Sequence, residues 1–133
     1  MADRQLYTGS TNVPYEKVIR FKFFVDAGNQ PTVGTNPFNF GIASIVWVSQ
    51  GLYRITLMDA YKSHVETHAQ LNVNAAGQQR FCQPGPVANV GTSTAATVDI
   101  LVVDNAGAVQ NPAAANANNF ISGHITFMDV GTV

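Results

Sequence analysis

Apolar and polar residues alternate with a period of two along most of the chain. In "VIRFKFFVD", 18–26, Ile19, Phe21, Phe23 and Val25 fall on one side, and Arg20, Lys22, Phe24 and Asp26 on the other. That is the pattern of a half-buried strand. "AGNQPTVGTNPFN" follows, and its Gly, Pro and Asn residues predict a long, turn-bearing connection. "SIVWV", 44–48, is apolar on both faces, as expected of a strand inside a sandwich. A tight turn near Gln50 and Gly51 then leads into a return strand over 52–58, with Tyr53, Ile55 and Leu57 as its core wall.

"HVETHAQLNV", 64–73, also reads as a strand. Val65, Thr67, Ala69, Leu71 and Val73 make one face, and His64, Glu66, His68, Gln70 and Asn72 the other, whereas a helix would scatter them around its axis. Residues 74–96 predict a long loop with at most a short strand. "TVDILVVDN", 97–105, is a buried strand, apolar on both faces over 100–103, and Asp104-Asn105-Ala106-Gly107 is a turn signal. "VQNPAAANANN", 109–119, is Ala/Asn-rich and of low complexity. "FISGHITFMDV", 120–130, closes the chain with Ile121, Ile125 and Phe127 on one face. Six strands, one or two weaker ones and no amphipathic helix predict an all-β protein, an antiparallel β-sandwich of jelly-roll-like form. Residues 1–17 read as an extended N-terminal arm, and 18–133 as a single sandwich domain.

Composition sharpens this picture. A chain of 133 residues is one domain and can bury roughly two-thirds of its surface without a disulfide or metal. Charged residues make up 11% of it, against about 25% in ordinary soluble domains. Solubility usually demands more charge of a lone monomer, so much of the surface is expected to face another protein. The net charge of −1 argues against general nucleic-acid binding. All seven Lys and Arg lie at or before Arg80, with five acids; beyond it stand only Asp99, Asp104 and Asp129. A basic surface meeting a neighbour's acidic one is one reading, and chance in a weakly charged chain is the other. Cys82 is the single cysteine, so no internal disulfide forms. With no hydrophobic signal region and no run of 18 apolar residues, folding in a cytosol and no membrane contact are expected.

Candidate chemistry is sparse. His64 and His68 flank Glu66, but on a strand they lie about 13 Å apart, too far for one ion with ligand bonds near ~2 Å; solvent-facing strand residues are the simpler reading. The His-x-His pair of cupin-type metalloenzymes is absent. No Gly-x-Ser-x-Gly elbow occurs, and Cys82, in "RFCQPGP", has no adjacent histidine to activate it, which points to a structural thiol. Asp59, Asp99, Asp104 and Asp129 are placed mostly at strand ends, where they cap turns rather than form a carboxylate pair. Phosphate loops are missing. No catalytic residue, cofactor, metal or small-molecule substrate is therefore expected. Arg20, Lys22 and Phe24 share a strand face, a strip open to solvent, nucleic acid or a protein partner; two charges make a poor nucleic-acid footprint. Phe24, Met58 and Met128 all lie opposite the main apolar alternation and would form a patch if the sheet order clusters them.

"GLYRITLMDAY" adds a resemblance. Gly51, Tyr53, Ile55, Leu57, Asp59 and Tyr61 match a pattern in which Gly-x-Tyr opens a strand ending in Leu-x-Asp-x-Tyr. In this the chain resembles small structural proteins of tailed bacteriophages. The opening "MADRQLYTG" is similar to the starts of such proteins, as is the layout, with the late strand "TVDILVVDNAGAV" and a final β-strand. The resemblance implies a non-enzymatic virion protein, a capsid decoration or cement protein. It would be made in the bacterial host cytoplasm, form a homo-dimer or homo-trimer, and clamp the major capsid protein on the outside of the head. Contacts are expected at Arg4, Leu6 and Tyr7 in an arm that orders on a partner, at Arg20, Lys22 and Phe24, and at Arg54 and Met58 on the outer side of the return strand. Segment 109–119 is either a second contact or a flexible surface loop. The alternative is a receptor- or carbohydrate-binding sandwich of a phage tail or fibre, offering Phe38, Phe40 and Tyr61 from loops while Trp47 stays in the core.

Overall fold

The period-two pattern resolves into two four-stranded antiparallel sheets in the computed structural model, which describes residues 16–26, 28–32, 39–72, 80–112 and 119–128. The strands are β1 (Glu16–Val25), β2 (Pro31–Thr32), β3 (Ile42–Ser49), β4 (Leu52–Leu57), β5 (Ser63–Asn72), β6 (Arg80–Ala88), β7 (Thr97–Asp104) and β8 (Asn119–Met128), with no helix among the described residues. The first sheet runs β2-β1-β8-β5 and the second β3-β4-β7-β6. Between them, β1 and β8 contribute Ile19, Phe21, Phe23, Val25, Ile121, Ile125 and Phe127, and β4 and β7 contribute Tyr53, Ile55, Leu57, Val98, Ile100 and Val102, all buried. These four are the central strands, flanked on both sides. Each such side chain stabilises the fold by about 1.5–3 kcal/mol relative to exposure.

Sequence and structure part company at five places. β6 occupies residues expected in a long loop, because "QPGP" reads as a turn. Proline cannot donate to a ladder but is tolerated at an edge or a bulge, and β6 is both: it ends the second sheet, and its register shifts between Pro84 and Val87, leaving Gly85 and Pro86 opposite Asp99. β3, expected inside the sandwich, is also an edge strand; Ile45 and Trp47 pack on the core, but Val46 and Val48 are exposed on the outer face. A bulge between His64 and Glu66 inverts the alternation at the start of β5. Val65 is thereby exposed, while His64 turns inward against Phe127. Asp99, expected at a strand end, is the third residue of β7 and buried. β1 also starts at Glu16, inside the stretch assigned to the arm, the rest of which lies outside the described residues.

The turns follow local chemistry. Gly51 joins β3 to β4 at φ 68°, a conformation that costs glycine little. The Asn111 side-chain oxygen accepts the Gly51 N–H at 2.9 Å and the Trp47 indole N–H at 3.3 Å, and Gln110 N donates to the Val102 carbonyl at 2.9 Å. The start of segment 109–119 is thus pinned to the sandwich; 113–118 lie outside the described residues. Asp104 caps its turn as expected, accepting from Ala106 N and Ala108 N.

Candidate functional site

Strand register sets which side chains meet on the outer face of the first sheet. Across β1, β8 and β5 the rows are Glu16, Met128 and Ser63; Val18, Thr126 and Glu66; Arg20, His124 and His68; Lys22, Ser122 and Gln70; Phe24, Phe120 and Asn72. The His68 and His124 rings stack 5.4 Å apart and 11° from parallel, and His124 Nε2 lies 3.4 Å from Glu66 Oε1. Lys22 Nζ sits 4.4 Å above the Phe120 ring and 5.3 Å from that of Phe24, where the negative ring face attracts a cation. Because β2 reaches β1 only at Phe24 and Val25, the Asn39 side chain serves as backbone partner at Lys22, accepting from its N–H and donating to its carbonyl, each at 2.8 Å.

The floor of this face is low. Ser122 is small, and beside it β5 and β8 approach closely, since a Cβ at Gly123 would run into the His68 carbonyl. The result is a hollow of about 380 Å³ with Arg20 and Lys22 on one wall, His68 and Gln70 on the other, and Phe120 and His124 at its ends. Small-ligand sites occupy roughly 300–1,000 Å³. A second hollow of about 430 Å³ adjoins it, lined by Glu16, Val18, Val65 and Glu66 among others.

The second sheet presents a different face. Its rows are Val46, Arg54 and Asp99; Leu52, Leu101 and Gln83; Val103 and Phe81. Arg54 grips Asp99 with two bonds, Nε to Oδ1 at 2.7 Å and Nη2 to Oδ2 at 2.9 Å, and Asp99 is only 3% exposed. The hydrogen bonds and charge of Asp99 raise the Arg54 pKa further above its ordinary value. On the same face Val46, Val48, Phe81 and Val109 are exposed, and Leu52 and Leu101 half-buried. Val109 is held there by a bridge to Val103.

The structure therefore separates the expected contact residues. Arg20, Lys22 and Phe24 stand together on the first sheet; Arg54 lies on the second, and Met58 is exposed just past the end of β4. Arg4, Leu6, Tyr7 and Phe38 lie outside the described residues. Phe24, Met58 and Met128 do not cluster: Met58 follows a strand of the other sheet, and Phe24 and Met128 occupy opposite ends of the first-sheet face. Phe24 pairs instead with Phe120, ring centroids 5.6 Å apart. Of the loop aromatics, Phe40 is 80% exposed, but Tyr61 is buried, and Trp47 is half-buried. His68, His124, Glu66 and Phe120 are the neighbours that sequence reasoning missed. Period two places His124 and Phe120 on one face of β8, but only the pairing of β8 with β1 puts them beside Arg20 and Phe24.

Other titratable groups face inward. His64 does not share a face with His68; its ring meets Phe127 edge-on at 5.7 Å, and Nε2 lies 2.7 Å from the Thr67 hydroxyl. Burial lowers its pKa, against an opposing pull from Glu66. Burial pushes the Cys82 thiol up to about 12 and raises that of the Tyr53 phenol, which donates to the Asn29 carbonyl at 2.9 Å. Among the described residues no three His, Cys, Asp or Glu side chains are grouped to hold a metal ion. No protein-family model, curated protein or solved structure matches the chain.

Proposed function

We propose that the chain is a non-enzymatic structural protein of a tailed-phage virion, a decoration or cement protein. It binds the outside of the head as a homo-dimer or homo-trimer and stabilises the shell of major capsid protein; no nucleic acid, membrane or small-molecule substrate takes part. The observation that carries this reading is the outer face of the second sheet, where Val46, Val48, Phe81 and Val109 are exposed on the face that also carries a satisfied ion pair. Exposed apolar residues gathered on one face are a mark of protein–protein contact, and a chain with 11% charged residues has little else to keep such a face solvated. In this reading the sandwich is jelly-roll-like in one respect, the pairing of the first long strand with the last, and the N-terminal arm reaches a neighbour. Purified protein added to heads lacking it is expected to bind and to raise their thermal resistance, and virions are expected to contain it by mass spectrometry. Failure of both ends the proposal.

A second reading, a receptor- or carbohydrate-binding module of a tail or fibre, draws on the exposed Phe40 and on the hollow beside Phe120. A glycan array without binding removes it.

A further inference from the structure

We infer that the hollow on the first sheet is a docking groove for an extended acidic peptide segment of a partner protein, carrying two carboxylates two residues apart followed by an apolar side chain. Three observations on that face select this occupant. The first is spacing. Arg20 and Lys22 project from the same side of β1 two residues apart, about 6.6 Å along the strand. Side chains at alternate positions of an extended peptide have the same repeat, so each carboxylate meets one cation. Ser122, Gln70 and the two imidazoles supply further polar atoms around the same hollow.

The second is the shape of the charge. The cationic rows are bounded on one side by Glu16 and Glu66 and on the other by Phe24 and Phe120. A peptide that slipped by two residues towards Glu66 would set carboxylate against carboxylate, and a slip the other way would leave Arg20 without a carboxylate. The register is therefore specified at both ends, and the aromatic pair offers a seat for an apolar residue next to the acidic pair. A phosphate polymer would need a longer cationic track than two rows. The third is rigidity. Arg20 and Lys22 lie on a strand paired along its length with β8, and the Lys22 backbone is clamped by Asn39, so the cations are held before a ligand arrives. The Arg54–Asp99 and His124–Glu66 pairs leave Arg20 out, and its guanidinium can bind a carboxylate through two parallel bonds.

The inference rests on reading the protein as a binding component, and not on its place on the head. The test uses the full chain and a capped peptide of sequence Ser-Glu-Thr-Glu-Thr-Phe-Ser, with its Glu-to-Gln counterpart as control, followed by calorimetry and NMR. Saturable binding is expected, with shifts at Arg20, Lys22, Ser122 and His124 and none at Val46 or Phe81. The double variant Arg20→Glu, Lys22→Glu and the hollow-filling Ser122→Phe are each expected to weaken binding by about tenfold or more, their folds checked by circular dichroism. No saturable binding, equal binding of the Gln peptide, indifference to both variants, or tighter binding of a heparin oligosaccharide or single-stranded DNA overturns the inference. Head binding without peptide binding removes this groove and leaves the capsid reading; peptide binding without head binding does the reverse.

Discussion

The ring of Tyr61 lies flat on that of Phe127, centroids 4.3 Å apart and planes 12° from parallel. A residue of the connection from β4 to β5, which crosses from the second sheet to the first, is thus seated on the last strand of the first sheet. Both rings are buried, and the Tyr61 carbonyl accepts from Gly91 N at 2.8 Å, which fastens the loop before β7 as well. Tyr61→Ala would leave a ring-sized cavity between the sheets. The expected loss is about 3–5 kcal/mol, measurable as a lower midpoint in urea, with Tyr61→Leu retaining part of it.

At the other end of the β4 strand, Gly51 has no room for a side chain. A Cβ there would stand 2.5 Å from the Gln110 carbonyl oxygen and 2.6 Å from Val109, at a φ of +68°. Gly51→Ala is expected to destabilise by about 2 kcal/mol or more, lowering Tm by roughly 10 °C in thermal melts. If Gly51→Ala melts like the parent, the close approach to Gln110 is not what fixes the start of segment 109–119.

Arg54 and Asp99 are predicted to couple strongly. Arg54→Ala strands a buried carboxylate and should lower Tm clearly, whereas replacing both partners, as Arg54→Met with Asp99→Val, should restore most of the loss. A double variant less stable than either single variant would contradict the pairing.

His64 supplies a pH dependence whose sign is fixed. Its folded pKa lies below the ordinary 6.5 because burial disfavours the imidazolium. The folded state therefore holds fewer protons than the unfolded one, so this contribution is complete above about pH 6.5 and falls away as the pH drops towards the folded value. The ring is partly solvated, so the effect is modest. The difference in urea midpoint between about pH 7.5 and pH 5.5 should shrink in His64→Gln.

Much of the fold was legible because the central strands obey a simple rule: β1, β4 and β8 each bury alternate residues, and Ile19 to Val25 or Tyr53 to Leu57 announce it. The edges were less legible for physical reasons. Pro84 and Pro86 look like turn residues because they remove ladder donors, which an edge strand tolerates. Val46 and Val48 look like core because apolar residues on both faces usually are, yet here they cover an outer surface. The parity of His64 and Val65 hinged on one bulge. The candidate groove was half-legible: Arg20, Lys22 and Phe24 share a face by periodicity alone, but His124, His68 and Phe120 join them through cross-strand register, which is a property of the pairing and of no single segment.

The prolines of β6 leave the second sheet with two unlike rims. Along one, Pro84 and Pro86 interrupt the row of donors and β5 lies alongside. Along the other, the eight-residue β3 contains no proline and, among the described residues, has a ladder partner on one side only. An extended chain alongside this sheet would meet a row of donors gapped by proline at β6, and at β3 a row without proline whose register shifts at two points. The two rims of this sheet are thereby unlike, one interrupted by proline and one not.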